Sequence, residues 1–460
     1  MDLTRMRRAI VLAAMTALVV TACSSGGSAS PSAAAPAASA AAPTAAPTAT
    51  PAPSAAAVTL EYLVDDSKAN QELATAFAKA YTAKHPNVTI NVESRPGGSE
   101  GDNLVKTKLA TGDMTDIFWY NAGSLLQALN PSQTLVDLKD EPYIPNIADA
   151  FIPTVSQNGG IFGVPSGTAM GGGVLYNKKV FEANGLTVPT TWAEFEANND
   201  KLKAAGITPV GATYKAPDDW TSQLFVLADY CNVQAALPNF AADYTNNKIK
   251  YADTPAALAG YQHLQEAFDK GWYEKDFGAA SLDDGLNGLA TGKIAQYPML
   301  TFALGNIAQN HPEAIKDIGF FGLPGTDAAK NCATIWMPAA TYIPKTTTGD
   351  KLAAAKDFLA FIASVEGADA ATAVQAPSGP YVIKGAKLPA DALPAVLDIQ
   401  KYIDKNVGTP ALEFLSPVKG PSLPQLSVAV GSGLKSAKDG ATLYDKDIEK
   451  QAKQLGLPGW

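Results

Sequence analysis

With 460 residues, 47% of them hydrophobic, the chain is longer than one hydrophobic core normally organises, so two lobes are expected. Its formal charge is −9, from 35 basic and 44 acidic residues, and this acidic balance disfavours nucleic acid as a partner.

The first 22 residues have the pattern of a secretion signal. Basic residues up to Arg8 precede the apolar run AIVLAAMTALVV, which is too short to span a bilayer. The small residues VTA then precede Cys23, an arrangement that resembles the lipobox of bacterial lipoproteins. The resemblance implies cleavage before Cys23, lipidation of its thiol, and a place on the outer face of the bacterial cytoplasmic membrane, extracellular or periplasmic. The alternative is an ordinary signal with an incidental cysteine.

Residues 23–57 form a predicted disordered tether. After Cys23 this stretch contains only Ser, Gly, Ala, Pro and Thr, a composition that cannot bury apolar surface. The folded part of the chain is expected to begin near Val58.

A strand, helix, strand, helix, strand pattern follows the tether. The strand VTLEYLV precedes a helical stripe of Leu73, Phe77 and Tyr81, and VTINVES is the next strand. A second helix over about 100–110 leads into the strand DIFWY. This order predicts a parallel sheet with right-handed crossovers, so the fold class is α/β.

The segments after these strands are candidates for a ligand site. In open α/β sheets, ligands bind outside the carboxyl ends of the strands, where VDDSKA and YNAGS lie. This position makes Trp119 and Asn121 candidate site residues, although an aromatic residue taken alone is more often part of a core.

The later chain repeats the α/β theme. PTTWAEFEANNDKLKAAGITPV predicts a helix that stops at Gly206 and leads into a strand. APDDWTSQLFVLADY predicts another helix, capped by Asp218 or Asp219, with Trp220 in its first turn. Further helices are expected near 255–270, 351–364, 393–402 and 443–454.

Two cysteines, Cys231 and Cys332, remain after Cys23. They are either separate buried thiols or a disulfide that closes a loop of about 100 residues, which an exported protein permits. No Cys/His cluster has the spacing of a metal site, so neither a metal nor a cofactor is expected.

Catalytic motifs are missing from the sequence. HExxH, GxSxG and GxxxxGK[ST] do not occur, and the three histidines have the settings of turn or surface residues. The glycines of GGSEG and GGG are predicted to lie in loops. The aspartate pairs 65–66, 218–219 and 283–284 could serve glycoside hydrolysis, but adjacent aspartates in turns more often cap helices.

Carbohydrate is the ligand class that these residues suit. A sugar ring has an apolar face that an aromatic side chain can cover, and a rim of hydroxyls that carboxylates and amides can bind. The candidate aromatic faces are Trp119, Trp220, Tyr297, Phe302 and Trp336, and the candidate polar partners are Asp65, Asp66, Asn121 and Asp219.

Four spaced motifs resemble the extracellular solute-binding protein family 1, whose members feed carbohydrate ABC importers. They are a G-x-P stretch at 163–165, a Tyr-Asn-Lys at 176–178, a short helix over 180–184 and a P-x-T-W-x-E-F segment at 189–195. Weaker similarity lies in DIFWYNAGS, GKIAQYPMLTFALGNI and TYIPKTTTGDKLAAAKDFLAFIAS, so that the resemblance covers most of residues 58–454.

The resemblance implies a two-lobed periplasmic-binding-protein-like fold of type II, with a ligand cleft between the lobes. It places 58–168 with about 335–380 in the N-terminal lobe and 169–334 with about 381–460 in the C-terminal lobe. The hinge should have two or three crossings, near 165–173 and 335–343.

The resemblance also implies where single residues lie, at the cleft or in the core. Trp220 matches a position where family members place an aromatic residue at the cleft, and Trp336 falls at the predicted hinge. Trp192 shares a helix face with Phe195 and is expected in the core. Phe302 stands where the family usually has tryptophan, a departure that bears on which sugar is bound.

The sequence therefore predicts a non-enzymatic, monomeric, lipid-anchored receptor that binds a sugar or oligosaccharide and delivers it to the transmembrane subunits of an ABC permease. The alternatives are a secreted glycoside hydrolase that uses paired aspartates, a binding protein for a non-sugar polar solute, and a cell-surface adhesion or scaffold protein.

Overall fold

The structure is a computed structural model that describes residues 56–460. The predicted signal at 1–22, the lipidation site Cys23 and nearly all of the tether at 23–57 lie outside the described residues. Within 56–460, no helix combines the length and the apolar character that a membrane crossing requires.

Thirteen strands occur in the described residues, and most of them are short. They are β1 (Val58–Asp65), β2 (Val88–Arg95), β3 (Ile117–Tyr120), β4 (Ser156–Gln157), β5 (Gly160–Ile161), β6 (Gly163–Pro165), β7 (Met170–Asn177), β8 (Thr208–Val210), β9 (Ile294–Leu300), β10 (Ile318–Phe321), β11 (Ala333–Trp336), β12 (Ala340–Tyr342) and β13 (Gly408–Pro410).

The α-helices lie between and after these strands. They are α1 (Lys68–Thr82), α2 (Gly98–Thr111), α3 (Ser124–Gln127), α4 (Pro131–Thr134), α5 (Lys178–Ala183), α6 (Trp192–Ala204), α7 (Leu224–Ala228), α8 (Tyr230–Ala236), α9 (Phe240–Thr245), α10 (Pro255–Asp269), α11 (Leu282–Thr291), α12 (Ala303–Asn310), α13 (Gly349–Ile362), α14 (Val365–Thr372), α15 (Pro394–Asp404), α16 (Leu412–Leu415), α17 (Leu423–Gly431) and α18 (Ala437–Gln454). Short 3-10 helices lie at Ile144–Asn146, Ile152–Val155, Asp218–Gln223, Ile315–Asp317 and Ala328–Lys330.

Two open sheets organise the protein into two lobes. The first has the order β2-β1-β3-β12-β6, and β1 pairs in parallel with both β2 and β3. The second has the order β13-β11-β7-β9-β8, with β10 also paired to β7. The predicted parallel unit and the predicted α/β fold class are therefore confirmed.

The chain passes from one sheet to the other at three places. Residues 166–169 join β6 of the first sheet to β7 of the second, and residues 337–339 join β11 of the second sheet to β12 of the first. A third passage follows α14 and leads to α15, which packs on β10. The residue boundaries assigned to the lobes from the sequence stay a prediction.

Helix α1 shows why the first lobe folds as its sequence predicts. Leu73, Phe77 and Tyr81 are spaced by four residues, share one helix face and are at most 4% exposed. Ser67 begins the helix by accepting a hydrogen bond from the backbone N–H of Asn70. The apolar face packs on β1 and β2.

Helix α6 begins at Trp192 through a capping box, because the Thr191 hydroxyl and the Glu194 carboxylate accept hydrogen bonds from each other's backbone N–H. Trp192 is buried, as predicted. His263 was expected at a surface but is buried against Trp192, with ring centroids 3.5 Å apart, and burial lowers the pKa of His263 to about 3.

The segment from Asp218 to Ala228 differs from its prediction. It starts as a 3-10 helix and becomes α-helical only at Leu224, and neither Asp218 nor Asp219 caps it. Asp218 instead accepts a hydrogen bond from the backbone N–H of Leu282, at the start of α11. The side chain bonds across to a neighbouring element, a contact that local sequence does not encode.

The structure bonds Cys231 to Cys332, the pairing that the sequence left open. Their Cα atoms are 6.1 Å apart, and the two residues are separated by 101 positions. Both are buried. The bridge ties α8 to the residue that precedes β11, and the backbone N–H of Cys231 also donates to Thr334 of β11.

Candidate functional site

A cleft of about 1020 Å³ lies between the two sheets. The first lobe contributes the carboxyl ends of β1 and β3 and the start of α1. The second lobe contributes the 3-10 helix at Asp218–Gln223, the start of α12, the end of β11 and the turn α16. The position agrees with the general rule for open α/β sheets.

Six of the nine residues predicted to bind ligand line this cleft. They are Asp65, Trp119, Asn121, Trp220, Phe302 and Trp336. The structure thus brings together residues that lie up to 271 positions apart in the chain, the separation of Asp65 and Trp336. Their part in ligand binding remains a proposal.

Three of the predicted residues do not line the cleft. Tyr297 is 1% exposed and faces α11 from β9, where its hydroxyl bonds to Thr213 and burial raises its pKa. Asp66 is exposed to solvent in the turn that follows Asp65 and does not line the cavity. Asp219 lies beside Trp220 in the 3-10 helix, but only Trp220 reaches the cavity.

Asp65 is held in place by the entry to α1. One carboxylate oxygen accepts hydrogen bonds from the Ser67 backbone N–H at 3.1 Å and the Ser67 hydroxyl at 2.7 Å. The Asn70 amide donates to both carboxylate oxygens at 3.0 Å. These neutral donors fix the orientation of the carboxylate at the edge of the cleft.

Strand β3 presents Trp119 to the cleft while its neighbours form the core. Phe118 and Tyr120 are fully buried, whereas Trp119 is half-buried. The indole N–H of Trp119 has no hydrogen-bond partner among residues 56–460. The next residue, Asn121, also lines the cleft, and its backbone carbonyl accepts a hydrogen bond from the Tyr342 hydroxyl.

Trp220 and Phe302 form an aromatic wall on the second lobe. Their ring centroids are 5.9 Å apart, with 37° between the planes. Trp220 comes from the 3-10 helix and Phe302 caps the start of α12, so two separate elements support the wall. Each ring is half-buried and keeps a face toward the cavity.

Trp336 lies at the end of β11, next to the passage between the lobes. Its indole N–H donates to the Glu413 carboxylate at 2.5 Å, and the other oxygen of Glu413 lies 2.7 Å from the Lys419 ammonium. Glu413 and Lys419 also line the cleft. The ring orientation of Trp336 is thus fixed by a charged pair from the turn α16 and the residues after it.

The turn α16 also touches the first lobe. Gly123, which follows β3 and has φ 69°, packs so closely against α16 that a Cβ there would lie 2.5 Å from the Glu413 carbonyl oxygen. A side chain at this position would therefore separate the lobes or push α16 away.

Comparison with known proteins decides the family of the chain. The sequence model of the bacterial extracellular solute-binding protein family matches residues 32–369. The chain belongs to this family. Among curated proteins, the multiple sugar-binding protein of Streptococcus mutans is 24% identical over 276 residues, which are 58% of this chain and 62% of that protein. The chain thus matches less than two thirds of the length of this relative.

Solved structures resemble this solute-binding protein over nearly their whole length. A chitin oligosaccharide binding protein has a TM-score of 0.75 and 21% identity, covering 86% of this chain and 99% of the other. RafE in complex with raffinose has a TM-score of 0.69 and 21% identity, with the same coverage. At this identity the likeness establishes the two-lobed fold.

Glu413 and Lys419 are among the cleft residues of this solute-binding protein that sequence reasoning missed. No motif marks them, and Glu413 reaches Trp336 across 77 positions of chain. A contact of that separation depends on tertiary structure. An acidic residue beside an aromatic one in the short helix α16, within ALEFL, was the available sequence signal.

The glycines of GGG and GGSEG are not in loops as predicted. GGG occupies positions 171–173 inside β7, and helix α2 begins within GGSEG at Gly98. The Trp336 ring lies directly over the Cα of Gly172, where a Cβ would overlap it. Glycine at 172 is therefore required by the close approach of an aromatic residue at the cleft.

Gly172→Ala is expected to lower the free energy of unfolding by about 1 to 3 kcal/mol and to displace Trp336 toward the cleft, because the added methyl group overpacks this contact. Chemical denaturation and tryptophan fluorescence measure the two effects. Gly278→Ala is the matched control, since a Cβ at that position meets nothing within 4 Å. Equal stability of the two variants would contradict the contact.

Proposed function

We propose that this protein is the substrate-binding lipoprotein of an ABC importer. It binds a sugar or oligosaccharide in the cleft between its lobes and delivers it to the transmembrane subunits of a permease. The observation that carries the proposal is the composition of the cleft, where aromatic rings and hydrogen-bonding side chains from both lobes line one cavity of about 1020 Å³.

The cleft chemistry fits a carbohydrate. Trp119 from the first lobe and Trp220 and Phe302 from the second present ring faces that can cover the apolar face of a sugar. Asp65 and Asn121 present a carboxylate and an amide to hydroxyl groups. The volume is at the upper end of small-molecule pockets, which favours an oligosaccharide over a single sugar.

Similar proteins support the same ligand class. Their names and titles include a multiple sugar-binding protein, a chitin oligosaccharide binding protein and a complex with raffinose. A lipid anchor at Cys23 and the long tether would hold such a receptor near its permease, outside the cytoplasmic membrane.

The working cycle follows from the two lobes. A sugar that contacts both lobes binds the closed form better than the open form and so shifts the balance toward closure. The closed form is then the one that docks on the permease. The three passages between the sheets supply the hinge, and the protein acts as a monomer without a cofactor.

The hydrolase alternative is less well supported, because one aspartate of each pair has a structural partner. Asp65 bonds to Ser67 and Asn70, Asp218 bonds to the backbone of Leu282, and Asp284 takes part in the capping box that begins α11. Members of the matched family are binding proteins.

Calorimetric titration with a panel of mono- and oligosaccharides tests the proposal. A saturable heat that returns to baseline, at about one ligand per chain, is the expected result. Heat that continues after each injection would instead indicate turnover and favour the hydrolase. If no sugar of the panel gave a binding heat, the assignment of a sugar ligand would be overturned and another polar solute would be indicated.

Trp220→Ala is expected to weaken sugar binding by about 1 to 3 kcal/mol, or about fivefold to 150-fold, because the ring face that covers the sugar is lost. Trp220→Phe keeps an aromatic face and serves as the control, so its loss should be smaller. Isothermal calorimetry measures both variants. Unchanged affinity in the alanine variant would remove Trp220 from the site.

A further inference from the structure

The charged groups of the cleft are mostly acidic. The cavity is lined by four carboxylates and two ammonium groups, and no arginine or histidine of residues 56–460 lines it. Two positive charges minus four negative charges give the lining a formal charge of −2. The members are Asp65, Glu72, Asp283, Glu413, Lys68 and Lys419.

Both ammonium groups have an acidic partner. Lys419 lies 2.7 Å from Glu413, and their side chains are only 24% and 14% exposed. Lys68 lies 3.6 Å from Glu72 one helical turn away, with three quarters of its side chain in solvent. The Lys419–Glu413 pair is less exposed than the Lys68–Glu72 pair, so its charges interact through less water.

The other two carboxylates have no cation beside them. No nitrogen of a Lys, Arg or His side chain among the described residues lies within 4.0 Å of either Asp65 or Asp283. All side-chain partners of Asp65 are neutral donors, from Ser67 and Asn70. An acidic ligand would therefore meet uncompensated negative charge on both lobes.

We propose, on the basis of the sugar-binding function above, that the cleft selects an uncharged oligosaccharide and rejects its acidic counterparts, and that Glu413 is the residue that sets this choice. Glu413 neutralises Lys419, the shielded cation of the cleft, which would otherwise attract a carboxylate or phosphate group on a ligand. Discrimination of this kind works through a repulsive element directed at the wrong ligand.

Glu413 can be tested without removing its contact to the indole ring. In Glu413→Gln the amide oxygen can still accept the Trp336 N–H, while the negative charge beside Lys419 is lost. The variant thus separates the charge of Glu413 from its role in holding the ring.

The probes are raffinose, stachyose and maltotriose, each paired with a derivative in which one C6 hydroxymethyl group is oxidised to a carboxylate. Calorimetry gives the ratio of the two affinities for each pair. The full-length protein is expected to bind at least one neutral sugar, with its carboxylate derivative weaker by about tenfold or more. This ratio should shrink at about 1 M salt, where the Debye length falls to about 3 Å.

Glu413→Gln is expected to reduce the ratio by about tenfold, because Lys419 is then free to pair with the ligand carboxylate. Adding Lys419→Met should restore discrimination. Glu72→Gln frees the exposed Lys68 instead and is expected to change the ratio much less, since surface pairs are strongly screened. Thermal unfolding of each variant shows whether it is folded.

The outcomes separate this proposal from the function on which it rests. Equal affinities within each pair would overturn the selection of uncharged ligands and leave sugar binding intact. A ratio that responds neither to salt nor to Glu413→Gln would overturn the role of Glu413, since discrimination would then be steric. Failure of every neutral sugar to bind would overturn both proposals.

Discussion

Replacing both Cys231 and Cys332 by alanine is expected to lower the free energy of unfolding by about 4 to 5 kcal/mol in the chain-entropy model, because the bridge closes a loop of about 100 residues in the unfolded chain. The cysteines are separated by 101 positions. Denaturation in urea, followed by tryptophan fluorescence, measures the change. The bridge anchors the start of β11, so the same variant reports how firmly Trp336 is held at the cleft.

The single variants provide the control. Cys231→Ala and Cys332→Ala each remove the whole bridge, so each should lose nearly as much stability as the double variant, which is a strongly non-additive result. A reductant should destabilise the wild-type protein and leave the double variant unchanged. Additive losses from the two single variants would contradict a bridge between these residues.

Asp229→Asn is expected to change how stability depends on pH. The carboxyl of Asp229 is 1% exposed, between α7 and α8, and burial raises its pKa to about 8. One oxygen accepts a hydrogen bond from Asn232 at 2.8 Å, while the other has no partner among residues 56–460. The folded protein therefore favours the protonated acid.

The sign of the effect follows from the two pKa values. An aspartate in the unfolded chain ionises near pH 4, so between about pH 4 and pH 8 the unfolded state releases a proton that the folded state keeps. The contribution of Asp229 to the free energy of unfolding is fully present below about pH 4. It is lost at about 1.4 kcal/mol per pH unit up to about pH 8.

His263 acts in the opposite direction over part of this range. Burial lowers its pKa to about 3, so its stability contribution is present above about pH 6.5 and is lost as the pH falls toward 3. The two slopes offset each other between about pH 4 and 6.5. Glu274, whose pKa burial raises to about 7, also lowers stability with rising pH, but only up to about pH 7, so above about pH 7 the Asp229 slope alone remains of these three.

Urea denaturation at half-unit steps of pH measures this dependence. Between about pH 6.5 and 8 the wild-type protein should lose stability more steeply than Asp229→Asn, by about 1.4 kcal/mol per pH unit. Asn232→Ala removes the one donor to Asp229 and is expected to extend the loss of stability to higher pH. Parallel curves for the wild type and Asp229→Asn would show that the carboxylate is solvated.

The first lobe was predictable because its signals are local. The spacing of Leu73, Phe77 and Tyr81 determines one buried helix face, and the alternation of apolar residues in VTLEYLV and VTINVES determines the strands beside it. Parallel strands place their carboxyl ends at one edge of the sheet, so the strand order alone predicts that Asp65, Trp119 and Asn121 lie near one another.

The errors arise where a contact joins distant parts of the chain. Alternation along β9 indicates which residues share a face, but not which face looks at the cleft, and so Tyr297 was placed wrongly. The glycines at 171–173 resemble a loop in the sequence because the Trp336 ring that covers Gly172 comes from another strand. His263 has the sequence setting of an exposed residue because Trp192, which covers it, lies on a different helix.

The sequence by itself determined the α/β class, the two lobes, the family and six of the residues that line the cleft, since periodicity and short motifs are encoded over a few neighbouring positions. Tertiary structure alone decided that Asp218 bonds to the start of α11, that Cys231 pairs with Cys332, and that Glu413 and Lys419 join the site. The disulfide and the contact of Glu413 with Trp336 join side chains 101 and 77 positions apart in the chain, and their free energies depend on distance, burial and charge in the folded protein.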